Sequence, residues 1–170
     1  MGAEAPHKPK GKCMTLKRFI HWIEKRHPAP VVHAHCDGPC GVYDPAQARV
    51  SAEAVVAMTK KILALKPEGS GPSAELAYRN TLVRYIQIKE QQAHETKTHL
   101  LVLWTDYFKP NHLEKNPKLH EVFWKASKLC SACKVEVSPE KAEALLKAVQ
   151  EIHGIFWASK DRKVEWVTAA

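Results

Sequence analysis

One short segment, residues 35–45, carries side chains that soft or borderline metal ions prefer. It reads HCDGPCGVYDP, so the imidazole of His35 lies beside the thiol of Cys36, and a second thiol, Cys40, follows four residues later. Two glycines and two prolines favour tight turns, which allow the three side chains to close around one ion. From spacing alone, a structural zinc site or two surface thiols would also explain the pattern. Three side chains, however, do not fill a tetrahedral structural zinc site.

A second thiol pair, Cys130 and Cys133, has the C-x-x-C spacing. Such a pair can be redox active where it opens a helix beside a βαβ unit. No such unit is predicted, and the pair comes at the end of a predicted helix. We therefore expect a structural thiol pair or an oxidisable disulfide rather than a catalytic pair. The isolated histidines His112, His120 and His153 are expected at the surface or at helix ends.

Four amphipathic helices are predicted to position these groups. The first begins at residues 44–45, the second runs from Ser73 to Pro110, the third spans residues 119–129 and the fourth follows residues 138–139. No window alternates with a period of two, so no sheet is expected. Helices joined by short connections predict an all-α, up-and-down four-helix bundle. The predicted inward face of the first helix comprises Ala46, Val50, Ala54, Ala57, Met58, Ile62 and Leu65.

Positive charge is distributed unevenly along the chain. The net charge is +8, but residues 1–34 hold seven Lys and Arg against two acids, and the remaining residues hold nineteen against sixteen. The small excess after residue 34 does not indicate a phosphate-binding face, so no nucleic-acid partner is expected. It would suit attraction of a small anion. Apolar stretches end well before the eighteen or so residues that a membrane-spanning helix needs, so no membrane partner is expected.

Residues 35–45 resemble the signature of the nickel superoxide dismutases, His-Cys-Asp-x-Pro-Cys-Gly-x-Tyr-Asp-Pro, at all nine specified positions. The stretches LWTDYFKP at residues 103–110 and IFW at residues 155–157 are also similar to family blocks, so the resemblance covers residues 35–160. It implies an enzyme that converts superoxide, its substrate, into oxygen and hydrogen peroxide by Ni(II)/Ni(III) cycling.

The resemblance also implies the nickel ligands. A processing protease would remove residues 1–34 as a leader. The freed amine of His35, the backbone amide and thiolate of Cys36, and the thiolate of Cys40 would then form a square plane, a geometry that suits Ni(II). The imidazole of His35 would approach axially and favour Ni(III).

Further roles follow from the same resemblance. Tyr43 would stand at the open face of the nickel, with Asp37 and Tyr107 organising it and Lys109 lending positive charge. Without the motif, both tyrosines would be interpreted as aromatic residues that cap the bundle, and the lysine as a solvated side chain.

The resemblance divides the rest of the chain as well. Residues 35–43 would form the metal-binding hook, with Pro39 and Gly41 shaping its turns and a cis peptide bond before Pro39. Residues 44–160 would form the bundle and residues 161–170 a C-terminal tail. Family members assemble as hexamers, so a homohexamer is expected.

Two positions depart from the family pattern. An acidic residue early in the first helix supports the axial imidazole in the family, but Ser51 occupies the aligned position here, with Glu53 two residues later. A basic residue that helps the same support is replaced by Gln92. Because second-shell partners orient a metal ligand and tune its potential, these roles cannot be transferred.

Two functions from other classes stay open: a nickel or zinc carrier that uses the same ligands, and a non-catalytic helical module. Only the enzyme requires a free amine at His35, so cleavage there discriminates between them. The chain has five cysteines, an odd number that cannot all pair in disulfides, so a secreted disulfide framework is not expected. This favours a cytoplasmic location. An organelle is the alternative if residues 1–34 include a transit signal.

Overall fold

The computed structural model describes residues 41–169, which all belong to one compact unit. These residues form five α-helices and one π-helical turn, and none of them forms a strand. The predicted helical class is therefore confirmed. The helices are α1 (Ala46–Ala64), α2 (Pro72–Val102), α3 (Pro110–Lys115), α4 (Leu119–Val135) and α5 (Pro139–Ser159), and the π-helical turn, Leu103–Tyr107, follows α2. None of the helices within the described range is long and apolar enough to span a membrane.

The four long helices pack as a closed ring, in which α1 contacts α2, α2 contacts α4, α4 contacts α5 and α5 returns to α1. Consecutive long helices are neighbours, as the predicted up-and-down bundle requires. The core between them is made mostly of aliphatic and aromatic side chains, with Phe123, Leu145 and Phe156 completely buried.

The inward face of α1 differs from the prediction. Val50, predicted to point inward, is 54% exposed. The prediction used the spacing of apolar residues alone. Because alanines lie all around the axis of α1, the predicted orientation of the helix about that axis was wrong. The buried face also uses two small polar residues, Ser51 and Thr59, and the Thr59 hydroxyl donates to the Val55 carbonyl at 2.8 Å. The residues that α1 buries are Ala48, Ser51, Ala52, Val55, Val56 and Thr59.

Helix α2 contains a buried charge that was not predicted. Lys89, in its middle, is only 1% exposed. Its ammonium group donates to the carbonyls of Cys133, Lys134 and Glu136, the last two at 3.1 and 3.0 Å. These carbonyls end α4, where unpaired acceptors and the negative end of the helix dipole favour a cation. Lys89 thus closes the end of α4, while burial lowers its own pKa.

The two thiols of α4 lie in the core beside this lysine contact. Cys130 and Cys133 are both free and buried. Burial raises the pKa of both, that of Cys130 to about 12. Two free, buried thiols are what a structural pair requires, and a raised pKa disfavours the thiolate that a nucleophile needs. The structural role of the pair stays a prediction.

Helix α2 ends earlier than predicted and passes directly into the π-helical turn. The Phe108 amide donates to the Leu103 carbonyl at 3.1 Å, a bond from one residue to the fifth before it. Pro110, which was predicted to stop α2, instead begins the short helix α3. The one-residue expansion turns the aromatic side chains of residues 104–108 toward the bundle.

Residues 160–169 return along the bundle instead of leaving it. The ring of Trp166 packs on the core and lies 5.3 Å from that of His153. His153, predicted at the surface, is buried, and its Nε2 is 3.1 Å from the Val164 carbonyl oxygen. The Ala169 amide reaches back to donate to the Glu53 carboxylate at 2.7 Å. We call residues 160–169 the strap.

Candidate metal centre

The site residues predicted from sequence divide into two groups. The ligands His35, Cys36 and Cys40, together with Asp37 and Pro39, lie outside the described residues. Gly41, Tyr43, Tyr107 and Lys109 lie within them. The described part of the predicted site therefore comprises Gly41, Tyr43, Tyr107 and Lys109.

Gly41 and Asp44 fix the passage from this segment into α1. Gly41 has φ +68°, in the left-handed region that glycine adopts without strain. The Asp44 carboxylate accepts from the Ala46 amide at 2.8 Å and satisfies one of the free donors at the start of α1. Pro45, directly before the helix, is buried. The chain is thus anchored at the residue that follows the hook.

Tyr43 and Tyr107 are brought together from opposite parts of the sequence. Both rings are half-buried against the core, and their centroids are 5.5 Å apart with an interplanar angle of 55°. Such a tilted arrangement is favourable for aromatic rings. The ring of Tyr107 therefore forms part of the surface against which Tyr43 rests.

Tyr107 is held rigidly. Its hydroxyl is 2.6 Å from the Ser159 hydroxyl, which itself donates to the Phe156 carbonyl at 2.6 Å, so Tyr107 is the donor of the pair. Its ring contacts Phe156 at 4.5 Å and stacks on His112 at 5.5 Å. His112 in turn accepts from the Lys109 amide at 3.0 Å and so caps α3, as expected for that histidine. The Tyr107 hydroxyl points to α5, and only its ring contacts Tyr43.

Two lysines supply positive charge near this aromatic pair. The side chain of Lys109 is exposed at the start of α3. The Lys160 ammonium lies 5.3 Å from the centroid of the Tyr107 ring. A cation over an aromatic ring is attracted by the ring's negative face. The Lys160 charge is thus held against the Tyr107 ring, whereas the Lys109 side chain extends into solvent.

A small cavity and a groove adjoin residues 42–44. The cavity, of about 30 Å³, is bounded by Tyr43 and Asp44 on one side and by Leu103 on the other. The groove, of about 360 Å³, runs between α1 and α2. Gln47 and His99 line both, so the cavity and the groove are adjacent. The groove is lined by Ala46, Gln47, Val50, Ser51, Gln92, Glu95 and His99.

The two positions that depart from the family pattern and the nearby Glu53 are not equivalent in the structure. Ser51 and Gln92 both line the groove. Glu53 does not: its carboxylate is 2.5 Å from the Arg49 guanidinium and accepts from the Ala169 amide of the strap. Glu95, which the sequence analysis missed, lies in the groove and accepts from Gln92 at 3.0 Å. Its position, three residues after Gln92 on one helix, was the available signal.

The donor chemistry of the chain fits nickel at residues 35–40. That segment offers two thiols and an imidazole, and a free amine if the chain begins at His35. Among residues 41–169, no three His, Cys, Asp or Glu side chains lie close enough to hold a metal ion.

Comparison with known proteins identifies one family. The family described as nickel-containing superoxide dismutase matches residues 30–160. The superoxide dismutase [Ni] of Streptomyces seoulensis is 44% identical over 133 residues, which cover 78% of this chain and 93% of that protein. The corresponding protein of Streptomyces coelicolor is 42% identical over the same shares.

Solved structures agree with the sequence comparison. A crystal structure of a nickel-containing superoxide dismutase with nickel ligation of the oxidised state is similar with a TM-score of 0.64 and 43% identity. It covers 75% of this chain and 99% of the other. A nickel superoxide dismutase in its apo form is similar with a TM-score of 0.60 and 39% identity.

Proposed function

Since this chain belongs to the nickel-containing superoxide dismutase family, we propose that it holds its nickel ion on the hook, residues 35–40, after cleavage before His35. The observation that carries the proposal is the extent of the family match, residues 30–160, which includes the hook motif and the aromatic pair in one alignment. All nine fixed positions of the motif are present in residues 35–45.

Each donor has a chemical reason to take part. The thiolates of Cys36 and Cys40 and the amide nitrogen of Cys36 are strong electron donors, and the amine of His35 becomes a donor only when no residue precedes it. Such donors favour the higher oxidation state of a metal. When bound, nickel supplies a Ni(II)/Ni(III) couple at which two superoxide ions yield oxygen and, with two protons, hydrogen peroxide.

The described residues serve the approach of superoxide and protons. Tyr43 follows the hook directly, and its ring rests on Tyr107, so the phenol can offer a hydrogen bond close to residues 35–40. Tyr107 acts as a positioning residue, because its hydroxyl is committed to Ser159. Lys109 attracts the anionic substrate. Asp37, which lies outside the described residues, is the further residue that we expect to organise Tyr43.

Assembly and location extend the proposal. Apolar side chains stay exposed along the bundle, among them Val50 at 54% and Trp124 at 55%, and a homohexamer would cover such surface. Light scattering on the chain that begins at His35 would measure its mass. Free thiols at Cys130 and Cys133 suit a reducing compartment such as the cytoplasm, unless residues 1–34 direct the chain to an organelle.

The test compares superoxide decay, followed by its absorbance, in two nickel-loaded proteins. One begins at His35 after cleavage by a sequence-specific protease, and the other is the uncut chain that begins at Met1. Fast decay is expected only for the cut protein. Equal activity of both proteins would overturn activation by cleavage. Tightly bound nickel with no decay in either protein would favour the metal carrier.

A further inference from the structure

We propose that the strap is a positioning element for the aromatic pair, because it holds α1, which follows Tyr43, against α5, which carries the partners of Tyr107. This inference rests on the proposed function, which gives Tyr43 and Tyr107 their roles in the reaction. The family match ends at residue 160, so the inference depends on the contacts of this chain's own residues.

The strap leaves α5 by a reversal of the chain. The Asp161 amide donates to the Ala158 carbonyl at 3.1 Å. The Arg162 amide donates to the Trp157 carbonyl at 3.0 Å, which completes a Schellman motif. Asp161 has φ +54°, in the left-handed region that residues other than glycine adopt only at a cost. The contacts that the strap makes beyond this turn must outweigh that cost.

Alternate residues of the strap face the bundle. Val164 and Trp166 are half-buried, whereas the residues on either side of each are exposed, as expected for an extended segment that lies on a surface. The Val164 carbonyl oxygen is 3.1 Å from His153 Nε2, and the centroid of the Trp166 ring is 5.3 Å from that of the His153 ring. Because His153 is buried in α5, Trp166 and Val164 fix the strap to that helix.

The end of the strap binds α1. The Ala169 amide donates to one Glu53 carboxylate oxygen at 2.7 Å, and the Arg49 guanidinium binds the other at 2.5 Å. The Glu53 side chain is only 10% exposed, and hydrogen bonds are stronger where water is excluded. The Arg49 amide donates to the Pro45 carbonyl at 3.1 Å in the first turn of α1. The strap is therefore linked to the helical turn that begins shortly after Tyr43.

The start of the strap contacts Tyr107. The Lys160 ammonium lies 5.3 Å from the centroid of the Tyr107 ring and 5.0 Å from that of the Phe156 ring. The Ser159 hydroxyl, one residue before the strap, is 2.6 Å from the Tyr107 hydroxyl. One short segment thus contacts Tyr107 where it begins and α1 where it ends.

Helix α1 depends on such an anchor because its own packing surface is slight. It buries six residues, none of them larger than valine. Burial of small side chains removes little apolar surface from water, so it holds a helix in place only weakly. Without the strap, α1 can shift along α5, and the Tyr43 ring would then move relative to the Tyr107 ring, whose centroid is 5.5 Å away.

The test uses fluorine NMR of the full-length protein labelled with fluorotyrosine, since the chain contains only four tyrosines. Tyr78 and Tyr85 lie on α2, outside the aromatic pair, and serve as internal controls. In Trp166→Ala we expect the resonances of Tyr43 and Tyr107 to shift. The resonances of the two control tyrosines should keep their parental positions.

Matched variants separate the strap from other aromatic packing. Trp166→Phe keeps an aromatic ring and should give the parental spectrum. Trp124→Ala, at an exposed position of α4, should also give the parental spectrum.

A milder change leaves every core side chain in place. Ala169→Pro removes the amide that donates to Glu53, and it should shift the same two resonances by a smaller amount. Ala169→Ser keeps the amide and should not shift them. If Trp166→Ala shows no helical circular dichroism spectrum, the two Ala169 variants decide the same question.

The reaction is measured separately, as superoxide decay by the nickel-loaded, cleaved protein. Trp166→Ala is expected to lower its rate about tenfold, since small displacements near reacting atoms reduce a rate strongly. Trp166→Phe should keep the parental rate, and nickel content should be equal in both.

The outcomes distinguish the proposal from its alternatives. Parental resonances of Tyr43 and Tyr107 in Trp166→Ala would overturn it. Shifts of all four tyrosines would assign the effect to general packing and would also overturn it, as would shifted resonances with an unchanged rate. An inactive parent protein would instead overturn the proposed function, and the spectra, which need neither nickel nor cleavage, would still decide whether the strap positions the aromatic pair.

Discussion

Two regions of this molecule carry residue types associated with reactivity, and the structure treats them in opposite ways. At the C-terminal end of α4, Cys130, Cys133 and Lys89 are buried, and burial raises the pKa of both thiols. Near the start of α1, Tyr43 and Tyr107 are half-buried, and the half-buried Glu95 lines a groove that opens to solvent. Spacing alone made the C-x-x-C pair a redox candidate, but access and ionisation decide reactivity.

The difference extends to the use of charge. The buried Lys89 ammonium donates hydrogen bonds to three main-chain carbonyls at the end of α4. Its charge therefore stabilises a helix end and is not available to a ligand. Lys109 is exposed beside the aromatic pair, where its charge faces solvent. A charge that is fully satisfied inside the protein stabilises the fold, and one that faces solvent can attract a substrate.

The sharpest contrast between the regions concerns their thiols. Cys36→Ser or Cys40→Ser is expected to reduce superoxide decay to the rate of buffer, because a hydroxyl group does not replace thiolate donation to nickel. Cys133→Ser should keep the parental rate per folded molecule. The measurement is the decay of superoxide absorbance, with nickel content determined in parallel. Retained dismutation in either hook variant would show that the hook thiols are no more necessary for activity than the buried thiols of α4.

Loss of the buried charge should affect stability and spare activity. Lys89→Met leaves the carbonyls at the end of α4 without their donor, and we expect a loss of about 3 kcal/mol in unfolding free energy. Lys97→Met is the matched control, since Lys97 is half-buried and donates to the Ser131 hydroxyl. Urea unfolding of both variants gives the comparison, and equal stability would show that water replaces the ammonium group.

The buried Cys130 thiol should make the free energy of unfolding depend on pH in the alkaline range. The pKa of Cys130 is raised from 9.0 to about 12 in the folded protein, so between these values the unfolded chain binds fewer protons than the folded one. Unfolding free energy should therefore fall as pH rises across this interval. Cys130→Ala is expected to show a shallower fall, measured by urea unfolding at several pH values. Lys89 is present in both proteins, so the difference reports the removal of Cys130 together with its charge interaction with Cys133.

Two substitutions at Tyr107 should distinguish the contribution of its ring to activity from that of its hydroxyl group. Tyr107→Phe loses the bond to Ser159 and about 1 kcal/mol of stability, but it keeps the ring that supports Tyr43 and should retain the parental rate. Tyr107→Ala removes the ring and should lower the rate clearly. A strong loss of activity in the Phe variant would assign the hydroxyl itself to proton delivery.

The smallest effect is expected from charge outside the groove. Lys109→Ala should lower kcat/KM by a few-fold at low ionic strength, and the difference from the parent protein should vanish as salt screens the field. Lys128→Ala is a control, because that lysine lies over Trp124. A salt-independent loss in Lys109→Ala would point to a structural effect on α3.

Much of this molecule could be predicted from its sequence, and the failures have physical causes. Turn residues and helical periodicity located the four long helices, because Gly, Pro and amphipathic spacing act locally. The predicted orientation of α1 about its axis was wrong because alanine occurs on both the buried and the exposed faces of this helix. Lys89 was missed because its partners are main-chain carbonyls more than forty residues away, which no side-chain pattern reports. The strap was missed for a similar reason, since its contacts depend on where α1 and α5 meet.

The candidate site shows the same limit. The motif at residues 35–45 and the family blocks indicated the ligands and the aromatic residues. The departures at Ser51 and Gln92 were visible in sequence, but the groove that both line appeared only when α1 and α2 were placed side by side.

The π-helical turn, Leu103–Tyr107, has a consequence for how relatives of this chain should be sorted. It contains one residue more than an α-helical path would need, and each residue of an α-helix turns the chain by about 100°. A relative that lacks a single residue here would keep its helices and most of its identity while Tyr107 turned away from Tyr43. A comparison of this chain with its relatives should therefore check the number of residues in this segment as well as their identity.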